Sequence, residues 1–190
     1  MTRDDILGAA AQVFRKKGYS AASMSDIADL VKLRKASLYH HIASKQEILL
    51  ELLDRALEML TDQIEPIVQQ PIPADEKLRL MICTYLKSLA ENVDLSSVLL
   101  FEHRSLDRKY RIRHVPNRDR FEKLWRDVLN EGVEANLFAC QDSRLAARGL
   151  MGTLNWTLTW YRPDGDLSMD EIGNRFTDLF FNGLLVKRGD

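Results

Sequence analysis

No stretch of this 190-residue sequence comes near the roughly 20 consecutive apolar residues that a bilayer span requires. The start, MTRDDILGAA, carries two acids and runs straight into a periodic pattern, where a secretory leader would open on basic residues and continue as a solid apolar block. A cytoplasmic protein is therefore expected. Cysteine is scarce: Cys83 and Cys140 stand far apart with no C-x-x-C spacing, which excludes a disulfide framework and a zinc site and predicts two reduced, buried thiols. No run alternates at period two, so strands are not expected. Internal repeats and low-complexity tracts are missing as well. Residues 47–190 hold no Gly-rich phosphate loop, no G-x-S-x-G and no metal-ligand spacing, so neither catalysis nor a cofactor nor a metal is expected.

What is present is a chain 45% apolar with a net charge of only -1, the profile of a globular protein. The near-neutral total conceals an asymmetry. Residues 1–50 hold eight basic and five acidic residues, a net of +3, and the remainder holds 19 against 23, a net of -4. A basic head on an acidic body suits a chain that offers one end to a polyanion.

Nearly every segment repeats at the helical period, which predicts an all-α chain of about nine helices. Thr2 with Asp5, Ser23 with Asp26, Ser44 with Glu47 and Ser168 with Glu171 have the spacing of capping boxes, and Asp142 can cap a further helix. Ile6, Ala10, Val13 and Phe14 make the inner stripe of a first helix that stops at Gly18, and Met24, Ile27, Ala28 and Val31 that of a short second one. A third begins near Arg34. A long fourth carries Ile48, Leu49, Leu52, Leu53, Ala56, Leu57 and Leu60 and ends around Pro66, before the loop QQPIPADE. Helices are then expected over about 74–92, 95–107, 116–136 and 142–161, with a turn at Arg162–Gly165 ahead of the last. The one boundary signal lies near 44–47, dividing the chain into a domain of residues 1–46 and another of 47–190.

The stretch RKASLYHHIASKQEILLELL, Arg34 to Leu53, poses the functional question. Three short helices, the third after a tight connection, describe a helix-turn-helix whose third helix enters the major groove. If Leu38 and Ile42 face the small core, then at 100° per residue Ala36, Ser37, Tyr39 and His40 face away from it. A merely solvated helix has no use for Tyr39 and His40 side by side on its outer face, whereas a duplex offers them sugar, phosphate or base edges, with Lys35 and Lys45 charging the backbone contacts. A metal at His40 and His41 is excluded by geometry, because adjacent helical residues diverge by about 100° and no third ligand is close.

SMSDIADLVKLRKASLYHHIASKQEILLELL resembles the DNA-binding region of TetR-family transcriptional repressors, with DIA in the second helix, SLYHH in the recognition helix and SK-E-LL opening the linking helix. The likeness covers roughly the first 55 residues. It implies that Tyr39, His41 and Lys45 touch phosphates, that Lys35, Ser37 and His40 face base edges, and that Ser23 and Ser25 lie near the backbone. Two residues depart from the family pattern, Lys32 where a turn glycine is usual and Arg34 where a small hydroxyl residue is usual. Either Lys32 takes a positive φ or the turn differs here, and Arg34, which cannot accept from backbone amides, is expected on a phosphate or guanine.

For the body the resemblance implies a helical ligand-binding and dimerisation domain. LWRDVLNEGVEANLF followed by WTLTWYRPDGDLS is similar to the branch of the family that governs fatty-acid, steroid or other acyl-CoA metabolism. The implied function is a ligand-responsive repressor that binds a palindromic operator as a homodimer and is released by a small hydrophobic effector, either an acyl-CoA or a molecule of another class. A DNA-binding protein that acts structurally or with a protein partner, and has no such effector, is the alternative. Leu99, His103, Trp125, Met151 and Asn155 are the candidate pocket residues by helix position, while Trp125, Trp156, Trp160 and Phe176 taken singly read as packing. His103 and His114, set among arginines, are expected to be exposed. Arg104, Arg108, Lys109, Arg111 and Arg113 form the densest basic cluster of the body, either a mouth for effector phosphates or a solvated helix end. Gly149, Gly152, Gly183, Leu179 and Leu184 mark the last two helices as the dimer face.

Overall fold

A computed structural model describes residues 2–183. Among them are nine α-helices and no strand, so the all-α expectation holds. They are α1 (Arg3–Lys17), α2 (Met24–Leu30), α3 (Lys35–His41), α4 (Lys45–Val68), α5 (Ala74–Glu91), α6 (Val93–Ser97), α7 (Arg108–Glu134), α8 (Ser143–Trp160) and α9 (Met169–Asn182). Leu184 lies outside the described residues.

The helices start where the polar signals place them. Thr2, Ser23 and Ser168 each accept from the backbone N–H three residues on, and Asp5, Asp26 and Glu171 return the bond, which satisfies two orphan donors per helix. Asp142 accepts from the N–H groups of Arg144 and Leu145 at the start of α8. At α4 only half of the box forms: Glu47 N–H donates to Ser44, but the Glu47 carboxylate accepts from Ala43 N–H rather than from Ser44. The Lys17 ammonium and Ser23 together hold the Asp26 carboxyl down to about 2.

The chain divides into two compact units. The first comprises residues 1–59 and 92–121, the second residues 60–91 and 122–190, and α4 and α7 contribute residues to both. In the first unit α1 packs on α2 and α6, and α2 on α3. Its core contains the predicted stripes: Ile6, Ala10, Val13, Phe14, Met24, Ile27, Ala28 and Val31 are buried, as are Leu38, Ile42, Ile48, Leu49, Leu52 and Leu53. Arg3 fastens α1 to α4 through Glu51, 2.6 Å from its guanidinium, and that contact lowers the Glu51 carboxyl from its usual range. In the second unit α5 packs on α8 and α9, with Leu78, Met81, Ile82, Tyr85 and Leu89 buried on its inner face.

Four expectations are corrected. The single helix expected over 95–107 is instead the five residues of α6, a π-helical segment Val98–Glu102 and a 3₁₀ turn His103–Ser105. The buried Ser97 hydroxyl donates to the Val93 carbonyl at 2.6 Å, a back-bond that competes with the regular ladder just where it widens. Helix α7 starts at Arg108 rather than near Pro116, because the Asp107 carbonyl already accepts from the N–H groups of Tyr110 and Arg111. Pro116 is tolerated inside it: the carbonyl deprived of a donor belongs to Ile112, an exposed residue. His114 is buried, with its Nδ1 2.9 Å from the Asp54 carboxylate, and His103 is half-buried. Finally, Cys83 and Cys140 are free thiols but half-buried rather than buried.

Lys32 has φ 56°, the left-handed conformation that glycine adopts without a Cβ penalty. Its backbone N–H donates to Asp29 and the chain turns there from α2 into α3. Lys32→Gly is therefore expected to stabilise the protein, by about 0.5–1 kcal/mol once the greater entropy of unfolded glycine is set against the relieved strain. Urea unfolding measures it, and a loss of stability would show that the Lys32 side chain contributes more than its backbone costs.

Candidate nucleic-acid interface and sensor core

Helix α3 is seven residues long, and its orientation is fixed from below. Leu38 is fully buried and Ile42 nearly so, and these two anchors set which side of the helix meets water. Lys35, Ala36, Tyr39, His40 and His41 are exposed and Ser37 is half-buried. Tyr39 is 47% exposed, unusual for a ring with no apolar surface to cover it. Arg34 occupies the N-cap position of α3, is exposed and makes no side-chain capping bond. Among the described residues no carboxylate pairs with Arg34 or Lys35. Ser23 and Ser25 are exposed at the start of α2, Ser23 being the cap already described. The sequence-predicted DNA-facing residues thus lie in the first unit on α2, α3 and the start of α4, and the exposed ones combine positive charge, aromatic surface and hydrogen-bond donors.

Lys45 differs from the rest. Its ammonium donates to the carbonyls of Tyr19 and Ala22 at 2.8 and 2.7 Å and sits 4.2 Å from the centroid of the Tyr19 ring. Burial raises the Tyr19 hydroxyl above its usual range. The lysine expected on a phosphate is therefore committed within the fold of the chain alone. Its neighbour Gln46 donates to the Ser105 carbonyl and accepts from the Asp107 N–H, at 2.8 and 2.9 Å, so the first two residues of α4 are tied on two sides. The family resemblance gave no sign of these ties, since a lysine at this position reads equally well as a phosphate ligand.

The candidate pocket residues are divided between the two compact units. Leu99 and His103 belong to the first unit, on the π-helical segment and the 3₁₀ turn, where burial lowers the proton affinity of His103. Trp125, Met151 and Asn155 belong to the second. There Tyr85, which is not among the candidate pocket residues, connects two of them. Its ring meets that of Trp125 edge to face at 5.4 Å, and its hydroxyl donates to Asn155 Oδ1 at 2.6 Å. Burial pushes that hydroxyl far above its usual range, so it remains a neutral donor. The indole N–H of Trp125 and the hydroxyl of Thr157 are buried without a hydrogen-bond partner among the described residues. Such groups are rare in folded interiors, and an orphaned donor is a place for an acceptor from a bound molecule.

On α8 and α9 the reading of tryptophans as packing is corrected for two of them. Trp156 is 66% and Trp160 45% exposed, and Leu145, Leu179 and Phe180 are exposed as well. Leu145, Gly149, Gly152 and Trp156 follow one another at helical spacing on one side of α8, and the space above both glycines is open.

Residues 6–52 match the signature of "Bacterial regulatory proteins, tetR family" and residues 71–184 that of "Tetracyclin repressor-like, C-terminal domain". Among curated proteins the chain is similar to the HTH-type transcriptional repressor KstR2 of Mycobacterium tuberculosis, 29% identical over 96% of this chain and 92% of the relative. Among solved structures it is similar to the TetR family transcriptional regulator PfmR from Thermus thermophilus, with 36% identity, a TM-score of 0.86 and coverage of 95% and 99% of the two chains. AibR, solved with isovaleryl coenzyme A and operator DNA, shares the fold at a TM-score of 0.88 and 23% identity, over 94% of this chain and 97% of that one.

The contrast between Lys45 and Tyr39 is measurable without DNA. Lys45→Ala is expected to cost about 1.5–3 kcal/mol of stability through its bonds to two carbonyls, and Tyr39→Ala to change stability by less than about 0.5 kcal/mol. Equal melting temperatures for the two variants would show that the Lys45 ties contribute nothing.

Proposed function

Because this chain belongs to the TetR family of bacterial regulatory proteins, we propose that it is a ligand-responsive repressor. A homodimer holds a palindromic operator through two copies of α3 and releases it when a small hydrophobic effector, in the first instance an acyl-CoA, binds the body. Residues 1–46 read DNA and residues 47–190 take the effector and the partner subunit. The observation that carries the reading is α3 itself, where two buried anchors turn Lys35, Tyr39, His40 and His41 outward with no core role to occupy them. Lys35, Ser37 and His40 face base edges, while Tyr39, His41 and Arg34 take phosphates, with Ser23 and Ser25 at the adjoining backbone.

The effector class is supported by two facts of different kinds. The Trp125 ring packs edge to face on Tyr85, which itself holds Asn155, and its N–H has no hydrogen-bond partner among the described residues, so a polar acceptor on an otherwise apolar ligand would find a donor there. Relatives point the same way: one solved structure similar to this chain is described as the ketosteroid transcriptional regulator KstR2, and AibR is described as bound to isovaleryl coenzyme A. An effector shifts the equilibrium only by its differential affinity for the state with misplaced reading heads.

The two-fold assembly is supported by the exposed apolar side of α8 and α9. One α3 spans too few base pairs for a specific site, and a face carrying Leu145, Trp156, Trp160, Leu179 and Phe180 is costly to leave in water. Leu179→Glu is expected to yield a monomer in sedimentation that also loses DNA binding, whereas a monomeric wild-type protein with tight operator binding would refute the dimer.

Titration of the protein–operator complex with a long-chain acyl-CoA and with the matching free acid, at fixed ionic strength, tests the effector. Release by the thioester alone is expected, together with a rise in melting temperature of the free protein. Equal release by both compounds removes the thioester, and release by neither, with an unchanged melting temperature, favours a DNA-binding protein without a small-molecule ligand.

A further inference from the structure

We propose that the basic start of α7 is a second phosphate-binding surface of the DNA-reading unit, gripping the duplex backbone outside the bases that α3 faces. The inference rests on the reading of α3 as the recognition helix. Residues 104–113 contain five basic residues, Arg104, Arg108, Lys109, Arg111 and Arg113, and one acid, Asp107. All five basic side chains are exposed. Arg111 donates to the Leu106 carbonyl at 3.0 Å, Lys109 lies beside the Tyr110 ring, and Arg104 adds like charge against protonation of the adjoining His103. Among the described residues none of the five has an ion pair, although other arginines of the same unit do: Arg3 with Glu51, Arg15 with Asp94 and Arg55 with Asp4. These acids of the unit are thus paired elsewhere and leave this cluster uncompensated.

Position within the fold separates DNA from other phosphates. These residues belong to the same compact unit as α1 to α3. That unit carries sixteen basic and twelve acidic residues, a net of +4, against eleven and sixteen, a net of -5, in the other. The turn that leads into the cluster is held to the DNA-reading end, since the Ser105 carbonyl and the Asp107 N–H both bond Gln46, the residue after Lys45. Three of the five, Arg108, Lys109 and Arg111, occupy the opening residues of a 27-residue helix whose first turn has no acid. Cations there face the positive end of the helix dipole, an arrangement that a solvated helix end avoids and an external polyanion relieves.

The test uses the full chain and a triple variant, Arg104→Gln, Arg108→Gln, Lys109→Gln, with Arg108→Gln alone as a second variant should the triple one not fold. Lys87→Gln, Lys123→Gln serves as the control for loss of charge as such. Each is titrated with a mixed-sequence duplex of about 40 base pairs over a range of salt concentrations, and separately with coenzyme A. The triple variant is expected to bind the duplex more weakly, with the slope of log K against log salt shallower by about 0.9 for each phosphate contact removed, while the control keeps the wild-type slope. An unchanged slope in the triple variant, with DNA binding otherwise intact, overturns the proposal. Loss of coenzyme A binding with an unchanged slope also overturns it, assigning the cluster to an effector phosphate. A wild-type protein that binds no duplex at all overturns the reading of α3 itself.

Discussion

The structure depends most on how the first two residues of α4 are held. Lys45 closes the α1–α2 connection by donating to Tyr19 and Ala22, and Gln46 closes the turn before α7 by bonding Ser105 and Asp107. α3 ends only four residues earlier, at His41, so its outward face inherits its direction from these bonds and from the burial of Leu38 and Ile42. Both ties lie within one compact unit, which explains why that unit includes residues 92–121 from the middle of the chain. The helix-turn-helix is thus built on a platform supplied from farther along the sequence.

The sequence made much of this visible, for identifiable reasons. Capping boxes are local, so Thr2–Asp5, Ser23–Asp26 and Ser168–Glu171 were readable from spacing alone. Apolar stripes at helical period gave the buried faces of α1, α2 and α4, and Lys32 in place of a turn glycine pointed to its positive φ. What stayed hidden depends on contacts distant in sequence. Burial of His114 needs Asp54, sixty residues away, and the partner of Lys45 is a pair of backbone carbonyls with no residue type to betray them. The break after α6 arises from a serine back-bond and a widened ladder, features that a hydrophobic pattern does not encode. Pro116 misplaced the start of α7 because proline is at home in a first turn, and only the exposure of Ile112 shows why it is accepted further in.

The same distinction separates the two candidate sites. The proposed DNA face centres on neighbours on one short helix, so periodicity was enough to turn Ala36, Tyr39 and His40 outward, where they are exposed. A sensor core is assembled from several helices, and the sequence had no means of pairing Tyr85 with Trp125 and Asn155. The orphaned indole of Trp125 is likewise a property of the packed state, since any tryptophan in an unfolded chain finds water.

Magnitudes show that the α4 junction is of a size a ligand can act on. The two bonds from the half-buried Lys45 ammonium together contribute about 1.5–3 kcal/mol and two neutral bonds from Gln46 about 1 kcal/mol each, together about 3.5–5 kcal/mol. Moving a two-state equilibrium from almost wholly one side to almost wholly the other takes about 5.5 kcal/mol of differential binding. Packed interfaces settle into discrete arrangements rather than deforming continuously, and directional hydrogen bonds sharpen this, since each is either made or lost. Four such bonds at the head of α4 therefore have the discreteness that a two-state element needs, and they stand next to the helix proposed to meet DNA.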